Sequence, residues 1–380
     1  MQIFETARLN TLDRYFAAVT DTFGGGAARS LLITHLLPDR AAFVRAVNRV
    51  APVTALLPKP KSADPDVIAT LSRDYPVGCL SRGLFSDAAS ALAYLEHHAP
   101  DQDVVLLDVG GYFAPTLGHL CDRFSGRVVG VVEDTENGWR RYRNAGKPPC
   151  PIFSVARSAL KRPEDHLVGY SLVFSAEALI RGLGDIVPGR ATVLGYGKIG
   201  ASIARCLHGR GVQVTVYDTD PVRTTEALAH GHTVATALSD ALRGAGLVLS
   251  ATGNKALRGD DFALLADGAY LGCVTSSEDE LDVGALRSWE RVRVGDHVVR
   301  YSRHGKSWYA LAGGEAVNFL HGAVVGPAIA LVQAEILAAA ARCVTADLPP
   351  GYHGVAPLDR RRIAALWLTH FREPLGDPRR

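Results

Sequence analysis

The run Gly195-Tyr196-Gly197-Lys198-Ile199-Gly200 constrains this chain more than any other stretch. It follows the largely apolar Ala191-Thr192-Val193-Leu194 and opens a segment in which Ile203, Ala204 and Leu207 recur at helical spacing. The pattern predicts a strand, a glycine turn and a helix. In such a unit one glycine takes a tight turn, one lets a pyrophosphate approach the backbone, and one lets helix and strand pack closely, with the helix N-terminus facing the phosphates. A second predicted strand, 212–217, ends in Asp218, where an acid grips the adenosine ribose. A carboxylate there repels a 2′-phosphate, so the expected cofactor is NAD rather than NADP. Arg223 is the nearby residue that could offset that repulsion.

A chain of 380 residues exceeds the size at which one hydrophobic core stops growing, so two domains are expected. Charge is nearly balanced, with 41 Lys and Arg against 39 Asp and Glu, so there is no basic footprint for nucleic acid. Six cysteines are scattered without a CxxC or a Cys/His ligand spacing, which points away from a disulfide framework or a metal site and toward a reducing, cytoplasmic setting. The apolar run 323–341 is interrupted by Pro327, Gln333 and Glu335 and reads as a packed helix rather than a membrane span. The expected partner is therefore a small molecule, with neither nucleic acid nor membrane.

Short apolar runs at 31–33, 53–57, 77–80, 104–107 and 128–132 alternate with helical patterns at 38–50 and 87–98, an α/β rhythm. Polar residues follow these predicted strands: His35, Asp108, and Glu133 with Asp134. If the strands are parallel, all four lie on the carboxyl rim where open α/β sheets bind ligands. Lys161 precedes a helix predicted from Pro163 to about Arg181. Taken alone, Glu164 and Asp165 read as first-turn acids that complement the helix dipole, with Lys161 a solvated boundary charge. After the glycine turn, strands and helices continue in a Rossmann succession. Segments 292–301 and 308–311 read as a hairpin, and the Pro- and Arg-rich end from Leu348 as an arm.

From about His35 to Ala340 the chain resembles the S-adenosylhomocysteine hydrolase family. Gly195-Tyr196-Gly197-Lys198-Ile199-Gly200 resembles its GYGxVG, Asp218-Thr219-Asp220-Pro221 its acid-x-D-P, Thr252-Gly253 its T-T-G, and Val317-Asn318-Phe319 its V-N-L. In the first half, Leu107-Asp108-Val109-Gly110-Gly111-Tyr112 is similar to L-D-D-G-G-D, and Glu133-Asp134-Thr135-Glu136-Asn137-Gly138 to E-E-T-T-T-G. The family's K-x-x-x-D-N falls on Lys161, Asp165 and His166, and its substrate-domain histidine on His35. Pattern and resemblance together imply an α/β protein of two domains. A flavodoxin-like substrate domain is expected at 1–166 and 325–348, a Rossmann NAD-binding domain at 170–322 and a C-terminal arm at 349–380, in a homodimer or homotetramer.

The resemblance further implies that bound NAD+ oxidises a ribose 3′-hydroxyl, that the ketone acidifies the neighbouring 4′-hydrogen, and that a 5′-substituent is then eliminated before the hydride returns. Lys161 would accept or relay the hydroxyl proton with Asp165 orienting it, and His35 would handle the proton of the leaving group. His166, His35 and Lys161 are the candidates for the 4′ base. Asp134 would grip a ribose hydroxyl, with Asp108, Asp39 and His321 as further substrate contacts. Cofactor contacts would come from Gly195, Gly197, Lys198, Ile199, Gly200, Asp218, Thr252, Gly253, Asn254, Thr135, Asn137 and Asn318. Departures cluster on the substrate side: Val109 and Tyr112 replace acids, Leu37 a threonine, Ser276 and Gly326 histidines, and Lys198 stands where the family often has an acid. The expectation is a divergent, redox-neutral nucleoside lyase, such as a dehydratase in nucleoside antibiotic biosynthesis. A true adenosylhomocysteine hydrolase and a catalytically silent NAD-binding paralogue are the alternatives.

Overall fold

The computed structural model describes residues 2–274 and 280–372, so Ser276 and the end of the expected arm lie outside the described residues. The chain divides into two units, Met1–Lys161 with Gly326–Arg380, and Arg162–Val325.

The first unit is built on β1 (Arg29–Leu36), β2 (Val53–Ala63), β3 (Asp103–Asp108), β4 (Arg127–Glu133) and β5 (Pro151–Ser154). These strands pair in the order β2-β1-β3-β4-β5, and every pairing is parallel. The chain order reverses between β1 and β3, which makes the carboxyl ends of those two strands a topological switch point. β2 runs six residues past the predicted 53–57 and contains Pro58 and Pro60. Prolines are tolerated there because β2 is the edge strand and needs no outward N–H donors. Residues 77–80, predicted as a strand, make only a single bridge from Val77 to Leu56. Their apolar character serves burial instead, as at Leu80.

Residues beyond 348 do not form a separate arm as far as residue 372. Gly351–His353 forms β14, which adds to the free edge of β5 in parallel, and helix Pro357–Phe371 buries Ile363 completely. Arg360 Nε donates to the buried carboxylate of Glu335 at 2.7 Å, and Trp367 Nε1 donates to the Pro327 carbonyl at 2.8 Å. Both acceptors belong to the polypeptide leading into or forming helix Ala328–Thr345, which is long and apolar enough to cross a membrane but is 78% buried inside this unit. The N-terminal helix Gln2–Phe23 completes the layer, with Leu12, Tyr15, Phe16 and Val19 buried on one face.

The second unit holds β6 (Arg190–Leu194), β7 (Gln213–Tyr217), β8 (Thr233–Val234), β9 (Leu247–Ser250), β10 (Ala269–Cys273), β11 (Glu290–Gly295), β12 (Val298–Arg303) and β13 (Lys306–Leu311). The parallel part runs β8-β7-β6-β9-β10-β13, the strand order of a Rossmann fold. β12 and β11 continue it as an antiparallel meander. The predicted hairpin is present, with His304 and Gly305 both at positive φ in its two-residue turn. However, 292–301 is two strands rather than one, because the chain turns at Asp296 and His297.

Candidate active site

In the second unit the three glycines of the opening motif have three different environments. Gly195 ends β6 with φ +87°, and a Cβ there would sit 2.9 Å from the Ala251 carbonyl oxygen. A Cβ on Gly200 would sit 2.0 Å from the Gly195 carbonyl oxygen, so helix Lys198–His208 packs against the turn only because this residue has none. Gly197, the N-cap of that helix, has nothing within 4 Å of its Cβ position, which leaves its backbone open to a ligand. Ile199 is half-buried against the same core.

Asp218 follows β7, and its Oδ2 accepts the Tyr196 N–H at 2.6 Å while Oδ1 accepts the Asp220 N–H at 2.8 Å. The carboxylate is thus pinned beside the glycine turn, as a ribose-binding acid must be. Arg223 is bonded to Glu226 at 2.9 Å, so its charge has a local carboxylate partner.

Behind the turn lies a residue that the sequence did not flag. Glu280 is fully buried, and its carboxylate accepts from Ser250 Oγ at 2.6 Å, Thr252 Oγ1 at 2.8 Å and the Gly253 N–H at 2.9 Å. It holds the Thr252-Gly253 loop at the carboxyl end of β9, and a lone acid in a polar stretch carries no local signal for that role. Asn254 is exposed, and its backbone N–H donates to the Thr252 hydroxyl at 3.1 Å. Asn318 is buried, and its Oδ1 has no hydrogen-bond partner. An open glycine cradle, a pinned ribose acid and an orphaned buried amide oxygen together fit a dinucleotide.

The remaining predicted residues of this unit lie around helix Arg162–Gly182. Lys198 Nζ lies 3.3 Å from Asp165 Oδ2, an ion pair at the helix start. The carbonyl of His166 accepts from Ser202, and its ring packs on Tyr170. His321 bonds Ser175 at 3.0 Å and packs edge-on against Phe174.

In the first unit a cleft opens at the β1/β3 switch point, lined by His35, Arg40, Asp108, Val109 and Asp134 among others. Lys161 Nζ donates to Asp134 Oδ1 at 3.0 Å, with the two side chains only 13% and 15% exposed. The Nδ1 of His35 bonds Ser62 Oγ. Burial, then the positive charges of Lys59 and Arg40, push the His35 pKa down to about 3, against the pull of Asp134. His35 is therefore neutral at pH 7. The unfolded chain takes up that proton near pH 6.5 and the folded one only near 3, so the stability that neutral His35 contributes is present above pH 6.5 and falls as pH drops below it. His35→Asn should flatten the loss of urea stability between pH 6.5 and 4, and the kcat/KM profile of the unmodified protein should show no His35 limb near 6.5.

Beside the cleft, Asp108 accepts from Tyr142 OH at 2.6 Å and the Phe113 N–H at 3.2 Å, and burial raises its pKa. Its Oδ1 is buried without a hydrogen-bond partner. Glu133 accepts the N–H groups of Gly110, Gly111 and Thr135, and burial and Asp108 push its pKa up to about 8 against those donors. A Cβ on Gly138 would fall 2.2 Å from the Glu133 carboxyl carbon, which explains the glycine at the end of that motif. The Thr135 hydroxyl is engaged with Glu133 and the Gly138 N–H, and Asn137 is half-buried in the same helix start. Asp39, expected to contact substrate, pairs with Arg8 and Arg40, and Arg40 lines the cleft. Lys59 and Arg82, also unflagged by the sequence, flank the Tyr112 ring at 5.1 and 4.3 Å and bond the carbonyls of Val109 and Gly110. Tyr112, which departs from the family pattern, thus stands between two cations.

Residues 172–324 match the family model described as S-adenosyl-L-homocysteine hydrolase, NAD binding domain. The matched stretch contains the glycine turn, Asp218, Thr252, Glu280 and Asn318, but not Lys161, Asp134 or His35. Among solved structures the chain is similar to a phosphoglycerate oxidoreductase from Vibrio cholerae o395, at 13% identity and a TM-score of 0.40 over 68% of this chain and 79% of that one. It is similar to an NADPH-dependent glyoxylate/hydroxypyruvate reductase from Sinorhizobium meliloti, at 18% identity and a TM-score of 0.37 over 61% of this chain and 74% of that one. The pyruvate reductase of Chlamydomonas reinhardtii matches at 14% identity and a TM-score of 0.39 over 69% and 72%. Likeness at these levels says nothing of this chain's substrate. The second unit is a Rossmann domain of the NAD-binding kind, and NAD is the cofactor that it takes.

Proposed function

We propose that this chain is an NAD-dependent, redox-neutral enzyme that oxidises a sugar hydroxyl of a nucleoside, eliminates a neighbouring substituent such as water, and reduces the ketone again. The observation that carries the reading is the Lys161–Asp134 pair beside a neutral His35, in a switch-point cleft of a chain that also has an NAD-binding domain. NAD+, when bound, supplies the hydride acceptor and, reduced, the donor. Asp134 accepts a hydrogen bond from the sugar hydroxyl, and the Lys161–Asp134 pair takes up the hydroxyl proton as the hydride leaves. The same proton returns from that pair when the ketone is reduced. The ketone makes the adjacent C–H acidic enough for a side chain to remove its proton. His35 takes that proton and passes it to the leaving oxygen; the C–H electron pair becomes the new C=C bond, and the C–O pair leaves with the oxygen as water.

The alternative is that water or a thiol adds back, which would make the protein an adenosylhomocysteine hydrolase. The family match of the NAD-binding stretch keeps that reading in play. Incubation with adenosylhomocysteine separates the two, since substantial formation of adenosine sinks the lyase. Candidate nucleosides incubated in deuterated water should yield alkene, while the remaining substrate takes up deuterium at the carbon beside the oxidised position. Alkene formed from a nucleoside that lacks the oxidisable hydroxyl would overturn ketone-assisted elimination. A failure of every nucleoside to reduce bound NAD would support the silent paralogue.

A further inference from the structure

Helix Ala328–Thr345 presents one polar side chain to the switch-point cleft. Gln333 is 5% exposed and lines the cleft together with the apolar side chains of Phe43, Ile329 and Ile336. No described residue hydrogen-bonds its carboxamide. A second buried polar atom in the same cleft, Asp108 Oδ1, also lacks a partner. Buried polar groups are almost always paired, and this carboxamide faces a cleft whose wall also carries Thr34, His35, Arg40, Asp108 and Asp134. A ligand that enters the cleft can complete it.

A carboxamide displays one acceptor and one donor side by side, and apolar walls favour a flat ring over a hydrated chain. The complement is a planar heterocycle that carries an adjacent donor and acceptor. We propose that Gln333 is a specificity-determining residue that reads the lactam or amino-imine edge of a nucleobase in this cleft. The inference rests on the nucleoside reading above for the sugar, and it adds the base and the residue that selects it. Sites that hydrogen-bond a ligand group reject analogues that lack it more strongly than apolar pockets discriminate by size.

Free bases test the slot without requiring sugar chemistry. The full chain should bind hypoxanthine or adenine at least about tenfold more tightly than unsubstituted purine by calorimetry. Gln333→Met, close in volume but without the amide, should lose that preference and bind the favoured base at least about tenfold more weakly, with NAD affinity and melting temperature unchanged. Gln333→Asn, which withdraws the amide by one methylene, should also weaken the favoured base and serves if the Met variant does not fold. Base binding that depends on Gln333 while no nucleoside reduces bound NAD would uphold the slot and sink the redox proposal. Nucleosides that reduce NAD with the same KM in wild type and Gln333→Met would uphold the redox proposal and sink the slot. Failure of wild type to bind any base or nucleoside overturns both.

Discussion

Lys161→Ala is expected to lower nucleoside-dependent reduction of bound NAD by about 10³-fold, within the range measured for loss of a positioned proton-transfer group. NAD affinity should be unchanged, because Lys161 lies outside the Rossmann unit and makes its ion pair with Asp134 of the first unit. The substitution leaves Asp134 with its charge poorly compensated at 15% exposure, so some loss of stability is expected too. Two measurements separate chemistry from folding. Lys161→Met keeps the volume of the stem and should be as inactive as the alanine variant while melting closer to wild type. Small primary amines added to Lys161→Ala should restore part of the reduction rate. Full activity in either variant would remove Lys161 from the mechanism.

Gly197→Ala and Gly200→Ala, three residues apart, should fail in opposite ways. At Gly197 the backbone has φ −70°, which any residue adopts, and the added methyl meets nothing within 4 Å. The variant should melt like wild type yet bind NAD about a hundredfold more weakly, some 3 kcal/mol, because the methyl takes the space through which a pyrophosphate approaches the backbone. At Gly200 the methyl would lie 2.0 Å from the Gly195 carbonyl oxygen. Helix and turn must separate, at a cost of about 2 kcal/mol typical of overpacking, or about 4–8 °C in Tm for a unit of this size. Titration of NAD by fluorescence and a thermal melt of each variant decide the matter. Wild-type NAD affinity in both would mean that the glycine turn is not the nucleotide cradle.

Much of the Rossmann unit is legible locally. Asp220 caps a helix whose first residue is Pro221, and helix Pro221–Ala229 follows from those two residues and the apolar spacing. The substrate-side unit is less so. The helix Gln2–Phe23 has its apolar residues 12, 15, 16 and 19 at helical spacing, a signal already present in the sequence. The short strands β5 and β14 carry too few residues for any periodicity, and they exist because each finds a neighbouring edge. The run at 77–80 shows the reverse, apolar residues without a strand to pair with beyond one bridge.

Site residues divide in the same way. The cradle is a property of consecutive backbone positions, so Gly195, Gly197, Gly200 and Asp218 announce themselves in one short window and its successor strand. Lys161, Asp134 and His35 are separated by up to 126 positions in the chain, and no local pattern joins them; the resemblance to a family named them, and the fold brings Lys161 to Asp134. Glu280, Lys59 and Arg82 carried no sequence signal because a single charged residue reads as surface until its burial is known, and Gln333 stood out only as a break in an apolar run. The sequence by itself determined an α/β chain with a dinucleotide turn and an acid that selects NAD, since glycine geometry and strand periodicity act over a few residues. Only the tertiary structure decided which charges meet, that Asp39 is held by arginines, that His35 is neutral and that the C-terminal segment belongs to the first unit. Those outcomes depend on burial and on contacts between residues far apart in the chain, where electrostatic and desolvation energies are set.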